Sequence, residues 1–88
     1  MRWRYDLDIK TALGEAGSKP MEESRKLLAD ALRVGPKDKT GFVPPGLRQR
    51  FARVADHMEK VNTVDEFNGV LDEAYDLADR EDVWLGLM

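Results

Sequence analysis

The sequence predicts a mainly α-helical domain: a short helix and three longer ones, the last two forming an antiparallel hairpin. Three observations carry that prediction. Apolar residues recur with a period near 3.6 over three long stretches. Prolines, glycines and one Thr-x-x-Glu motif stand at the ends of those stretches, where helices start and stop. Alternation with period two is confined to the N-terminus, so β structure is expected only where the chain ends can pair.

Trp3, Tyr5, Leu7 and Ile9 alternate with Arg2, Arg4, Asp6, Asp8 and Lys10, the pattern of a strand with one apolar face. From Ile9 the spacing becomes helical through Ala12, Leu13 and Ala16. The reading is a strand over 2–7 and a short helix over 9–16, with Asp8 as its N-cap and Gly17 as its stop. Pro20 suits the entry to a second helix running from Met21 to Arg33. Its expected inward face is Met21, Leu27, Leu28, Ala31, Leu32 and Val34, with Glu22 and Lys26 paired on the outside. Gly35 and Pro36 end it.

Residues 34–46 lack any helical pattern and form the longest predicted loop. Phe42 and Val43 are apolar within it, which marks either a loop pinned to the core or a recognition loop. Leu47, Phe51, Val54, Ala55, Met58 and Val61 then define the inner face of a third helix. Thr63 and Glu66 match a capping box, in which hydroxyl and carboxylate each accept from the other's backbone N–H. The fourth helix is expected to bury Val64, Phe67, Val70, Leu71, Ala74, Leu77 and Ala78. So short a break between the last two helices forces them antiparallel. The tail Val83-Trp84-Leu85-Gly86-Leu87-Met88 must pack on the helices, pair with the N-terminal strand, or bind a partner.

With 88 residues, the chain is read as one domain, 1–88. It has no cysteine, which excludes disulfides, thiolate metal sites and cysteine nucleophiles. The missing staples, and Asp6 and Asp8 where a signal peptide would need apolar residues, favour a cytoplasmic location. No apolar run is long enough to span a bilayer. The net charge of −3 is unevenly spread: residues 1–32 are neutral, 33–60 carry +4 and 61–88 carry −7.

Several constellations compete for a function. Arg50, Arg53, His57 and Lys60 make a basic stripe on the third helix that Lys37, Lys39 and Arg48 could extend toward a phosphate backbone. The plainer reading is a solvated face offset by Asp56, Glu59 and the acidic fourth helix. A helix-turn-helix is disfavoured, because the second member of the tight hairpin carries Asp65, Glu66, Asp72, Glu73, Asp76 and Asp79. That acidic row could imitate a nucleic-acid backbone, although −3 is little charge for the task. Carboxylates on one helix face cannot surround a cation, so no metal site is assigned. His57 is the single histidine and has no nucleophile in motif context, so no catalytic residue is assigned. Lys39-Thr40 lacks the glycines of a phosphate-binding loop, and no dinucleotide fingerprint is present, so no cofactor is expected.

What is left is interaction. Trp3, Tyr5, Phe42, Val43, Trp84, Leu85 and Leu87 are the apolar groups near the chain ends and the long loop. Folded inward they are a lid on the bundle; exposed they are anchors for a partner or a second copy. The function expected from the sequence is therefore a small non-enzymatic interaction or regulatory protein, of the bacterial or phage accessory kind, with homodimerisation as the simplest outcome. The alternatives are nucleic-acid binding through Lys37, Lys39, Arg50, Arg53 and Lys60, and acidic mimicry of a nucleic acid.

Overall fold

A computed structural model of the chain describes residues 4–38 and 43–85. Its elements run β1 (Tyr5–Asp6), α1 (Ile9–Ala16), α2 (Met21–Val34), β2 (Lys37–Asp38), α3 (Pro45–Glu59), α4 (Val64–Arg80) and β3 (Val83–Trp84). The fold is the small helical bundle of the sequence reading, with a three-stranded sheet added in the order β2-β1-β3. The chain ends do pair: β1 runs parallel to β3, with Tyr5 opposite Val83 and Asp6 opposite Trp84. Flanking bonds extend the pairing, the Arg4 N–H donating to the Asp82 carbonyl at 3.2 Å and the Leu7 N–H to the Trp84 carbonyl at 2.8 Å. The other edge of β1 was not legible in sequence. It is taken antiparallel by Lys37–Asp38, inside the stretch read as loop.

Packing follows from the apolar stripes. The inner face expected for α3 is buried throughout, from Leu47 to Met58, with Val61 just beyond its end. α2 lies closest to α3 and then to α1. Its face, however, is rotated from the expected one. Ser24 and Ala29 turn inward with Leu28 and Leu32, while Met21, Leu27 and Ala31 are half-buried and Val34 is exposed. Ser24 can occupy the interior because its hydroxyl donates locally, lying 2.6 Å from the Ala16 carbonyl and 3.1 Å from that of Lys19. A buried hydroxyl satisfied in this way escapes the desolvation cost of an orphan group. Glu22 and Lys26 do not form the expected i,i+4 pair, and the positive charge of Lys26 instead acts on Glu59.

α3 and α4 are antiparallel, and two side-chain links show it. His57 of α3 meets Glu73 of α4; stepping back along α3 to Arg50 steps forward along the chain to Glu81, just past the end of α4. The capping box at the hairpin turn is formed with one change. The Glu66 N–H donates to the Thr63 hydroxyl at 3.1 Å, but the Glu66 carboxylate accepts from the N–H of Asn62, not of Thr63. Asp8 caps α1 through the N–H of Thr11. Gly17 does end α1, though in an ordinary right-handed conformation, so its glycine freedom is not what stops the helix.

The interior is a continuous cluster that Tyr5, Leu7, Ile9 and Val83 join from the sheet side. Phe51 and Leu71 lie inside it, and Leu27 and Phe67 pack against it. α4 is held on one side by α3 and near its end by β3, but it does not pack closely against α1 or α2. Only its second half, Leu71, Ala74, Leu77 and Ala78, is fully buried. Phe67 and Val70 are half-buried, and Val64, expected inside, is 64% exposed. No helix among the described residues is long and apolar enough to cross a membrane.

Candidate functional site

Of the seven apolar groups singled out in sequence, Trp3, Phe42 and Leu87 lie outside the described residues. Three of the other four, Tyr5, Val43 and Leu85, turn toward the core. Tyr5 is 9% exposed and belongs to the interior, Val43 and Leu85 pack against it, and Trp84 is half-buried in β3. Sheet formation explains this, because pairing β1 with β3 places Tyr5 and Val83 on the face that covers the helices.

Two members of the basic stripe are engaged by neighbouring carboxylates. Arg50 bonds Glu81, and His57 Nδ1 lies 2.9 Å from Glu73 Oε1. Arg33, across from α3, forks both guanidinium nitrogens onto Glu59 at 2.6 and 2.8 Å and adds a bond to Asp56 at 2.8 Å. Hydrogen bonding to Glu59, then to Asp56, raises the Arg33 pKa further above its already high ordinary value. The same guanidinium holds the Glu59 carboxyl below the usual carboxylate range. Arg53, Lys60 and Lys37 are exposed. Lys39 lies outside the described residues. The acidic row of α4 is solvated, and Asp76 pairs with Arg80 at 3.0 Å, the i,i+4 pair its spacing allows. Among the described residues, no group of three or more potential ligands could hold a metal ion.

Two surface grooves stand out. One, of about 410 Å³, lies where β1 and the α4–β3 turn meet the start of α3. Arg4, Arg50 and Arg80 line it, but so do Glu81 and Asp82, and the Arg50–Glu81 and Arg80–Asp76 bonds already engage two of the arginines. The second, of about 430 Å³, is different in character. It opens where the end of α1 and the start of α2 face the first turns of α4, and Leu13, Ala16, Met21, Val64 and Phe67 make it mostly apolar. Lys19 and Asn68 stand in its wall. His57 lines neither groove, and its side chain and that of Glu73 are each just under half exposed.

The second groove has a structural origin. Helices that pack at the usual 8–10 Å interdigitate their side chains and leave no such gap. Here the first half of α4 stands off from α1 and α2, so Phe67 and Val70 are only half-buried and Val64 is exposed. Met21, Val64 and Phe67 are core residues by their spacing in sequence; in the fold Met21 and Phe67 are half-buried, as is Leu13 across from them, and Val64 is exposed. The apolar period on α4 begins at Val64, immediately after the cap, and nothing in that pattern states whether a neighbouring helix comes near enough to cover it. No protein-family model, no curated protein and no solved structure matches this chain.

Proposed function

We propose that this chain is a non-enzymatic interaction domain, and that its docking site is the apolar groove between the α1–α2 turn and the start of α4. The observation that supports this reading is the exposed Val64 and half-buried Phe67 lining, with Leu13 and Met21, a groove of about 430 Å³. Exposed apolar surface of this kind carries a standing solvation cost, which a partner's side chain removes on docking. The reading stands above nucleic-acid binding because Arg50 and His57 are engaged by carboxylates of the α4 region. It stands above catalysis because the single histidine bonds a carboxylate, Glu73, and among the described residues no nucleophile is bonded to it.

The test uses a small neutral probe, 2-phenylethanol, titrated into the isotopically labelled chain and followed by amide NMR. Saturable shifts should concentrate at Leu13, Met21, Phe67 and Asn68. Val64→Asp, at a mostly exposed position in the first turn of α4, should keep the fold and weaken the probe several-fold. Shifts spread evenly over the surface, or equal binding to the variant, would reject the groove as the docking site.

A further inference from the structure

We propose that the groove between β1, the start of α3 and the α4–β3 turn binds a phosphate monoester, a small molecule with a phosphoryl head on an apolar body. This site is separate from the apolar groove, and neither reading depends on the other. Three guanidiniums line it from three parts of the chain: Arg4 ahead of β1, Arg50 on α3 and Arg80 at the end of α4. Arg4 is exposed and, among the described residues, has no ion-pair partner. Arg50 gives one terminal nitrogen to Glu81, and Arg80 gives one to Asp76. A guanidinium has five N–H donors, so each keeps donors for a ligand.

Tyr5 supplies the second observation. It is 9% exposed, and its hydroxyl makes no hydrogen bond among the described residues. A hydroxyl on so buried a ring normally has a partner. No fully buried side-chain oxygen among the described residues lacks one, so this hydroxyl reaches the surface, and the groove is the surface that Tyr5 lines. Gly46 adds a backbone donor. α3 starts without a side-chain cap, and the Gly46 N–H stands in its first turn, where amides have no acceptor within the helix. An added Cβ at Gly46 meets nothing within 4 Å, so the backbone there lies open to the groove. That first turn holds no acidic residue to occupy the positive end of the helix dipole. Guanidinium forks, a hydroxyl and a helix start together exceed what the two oxygens of a carboxylate accept, and they suit the three of a phosphoryl group. Pro44 and Leu47 give an apolar wall, and about 410 Å³ is the size of a small-molecule pocket. Two carboxylates also line the groove. Glu81 is bonded to Arg50, whereas Asp82 has no ion-pair partner among the described residues and opposes an incoming anion.

The experiment titrates phenyl phosphate and phenylacetate into the isotopically labelled full chain at constant ionic strength, followed by amide NMR. It is run at about pH 7.5, where a phosphate monoester is mostly dianionic. Phenyl phosphate should give saturable shifts at Tyr5, Gly46, Leu47 and Asp82 and bind about tenfold more tightly than phenylacetate. Tyr5→Phe removes only an oxygen that has no partner in the fold and should weaken phenyl phosphate about tenfold. Arg4→Gln, at an exposed position, should weaken it several-fold. Asp82→Asn should tighten it several-fold, and asparagine tolerates the φ of 60° at that position as aspartate does. Equal affinities for the two probes would overturn the phosphoryl head. Shifts scattered over basic residues elsewhere, or affinities unchanged in Tyr5→Phe and Asp82→Asn, would overturn the site itself.

Discussion

Gly35 leaves α2 with φ 79° and ψ 175°, a region that essentially only glycine occupies without strain. A Cβ added there would meet Arg48 Cγ at 3.5 Å, an ordinary contact, so the obstacle to a side chain is the backbone and not space. Gly35→Ala is therefore expected to cost about 1–3 kcal/mol in urea denaturation. Gly46 provides the contrast: it sits in the first turn of α3 with nothing within 4 Å of an added Cβ and no positive φ. Gly46→Ala should be neutral or stabilising by up to about 1 kcal/mol. Equal losses at both glycines would contradict the backbone described for Gly35. Gly35 is legible in sequence as a helix stop, and the structure supplies the dihedral reason. Ser24 shows the opposite case. It stands at helical spacing with Leu28 and Leu32 but is not among the residues expected to face inward, and the proximity of the Ala16 and Lys19 carbonyls is what admits its hydroxyl to the interior. That proximity depends on how the α1–α2 turn folds back, which no single-residue preference encodes.

Between elements, the strongest side-chain link is the clamp from Arg33 on α2 to Asp56 and Glu59 on α3. A forked guanidinium–carboxylate geometry is better than an isolated surface pair, though both partners remain in solvent. Because the Glu59 pKa lies below its unfolded value of about 4.3, its stabilising effect is complete above that value. It is lost as pH falls through the lower, folded-state value. The raised Arg33 pKa has no counterpart at working pH, since arginine is protonated in both states there. Arg33→Met keeps the aliphatic stem and removes the charge, so it should melt below the parent at neutral pH. The gap between the two should narrow as the pH is taken from about 5 toward 3. A gap that stays constant over that range would show that the clamp contributes nothing through Glu59 ionisation. This link was unreadable in sequence, where Asp56 and Glu59 appeared only as offsets for the basic residues of their own helix. Helix existence and order were readable because each apolar stripe and each cap is local. Rotation of α2, the standoff of α4 and therefore the groove were not, because they depend on how helices meet.

For the whole molecule, the sheet is what ties the chain together. β1 is its central strand, flanked by a segment that follows α2 and by a segment that follows α4. A domain of this size has a small core, and folded domains are generally stable by only about 5–15 kcal/mol, so a few buried residues contributed by β1 and β3 matter. Val83 is one of them: it is 3% exposed and sits opposite Tyr5 in the parallel pair. The β1–β3 pairing is also the most distant in sequence, which makes its loop-closure cost the largest in the fold. Its retention must therefore come from the apolar groups it buries more than from its few backbone bonds. Val83→Asp, which puts a carboxylate in that position, is expected to lower stability by about 2–5 kcal/mol. Hydrogen exchange should localise the effect. The Leu7 amide, which donates to the Trp84 carbonyl, should lose its protection, whereas the amides of α2 and α3 should fall only to the reduced global value. Leu7 protection that survives in the variant would mean that β1 is held by something other than the C-terminal strand, and the lid formed by the chain ends would have to be rebuilt from β2 alone.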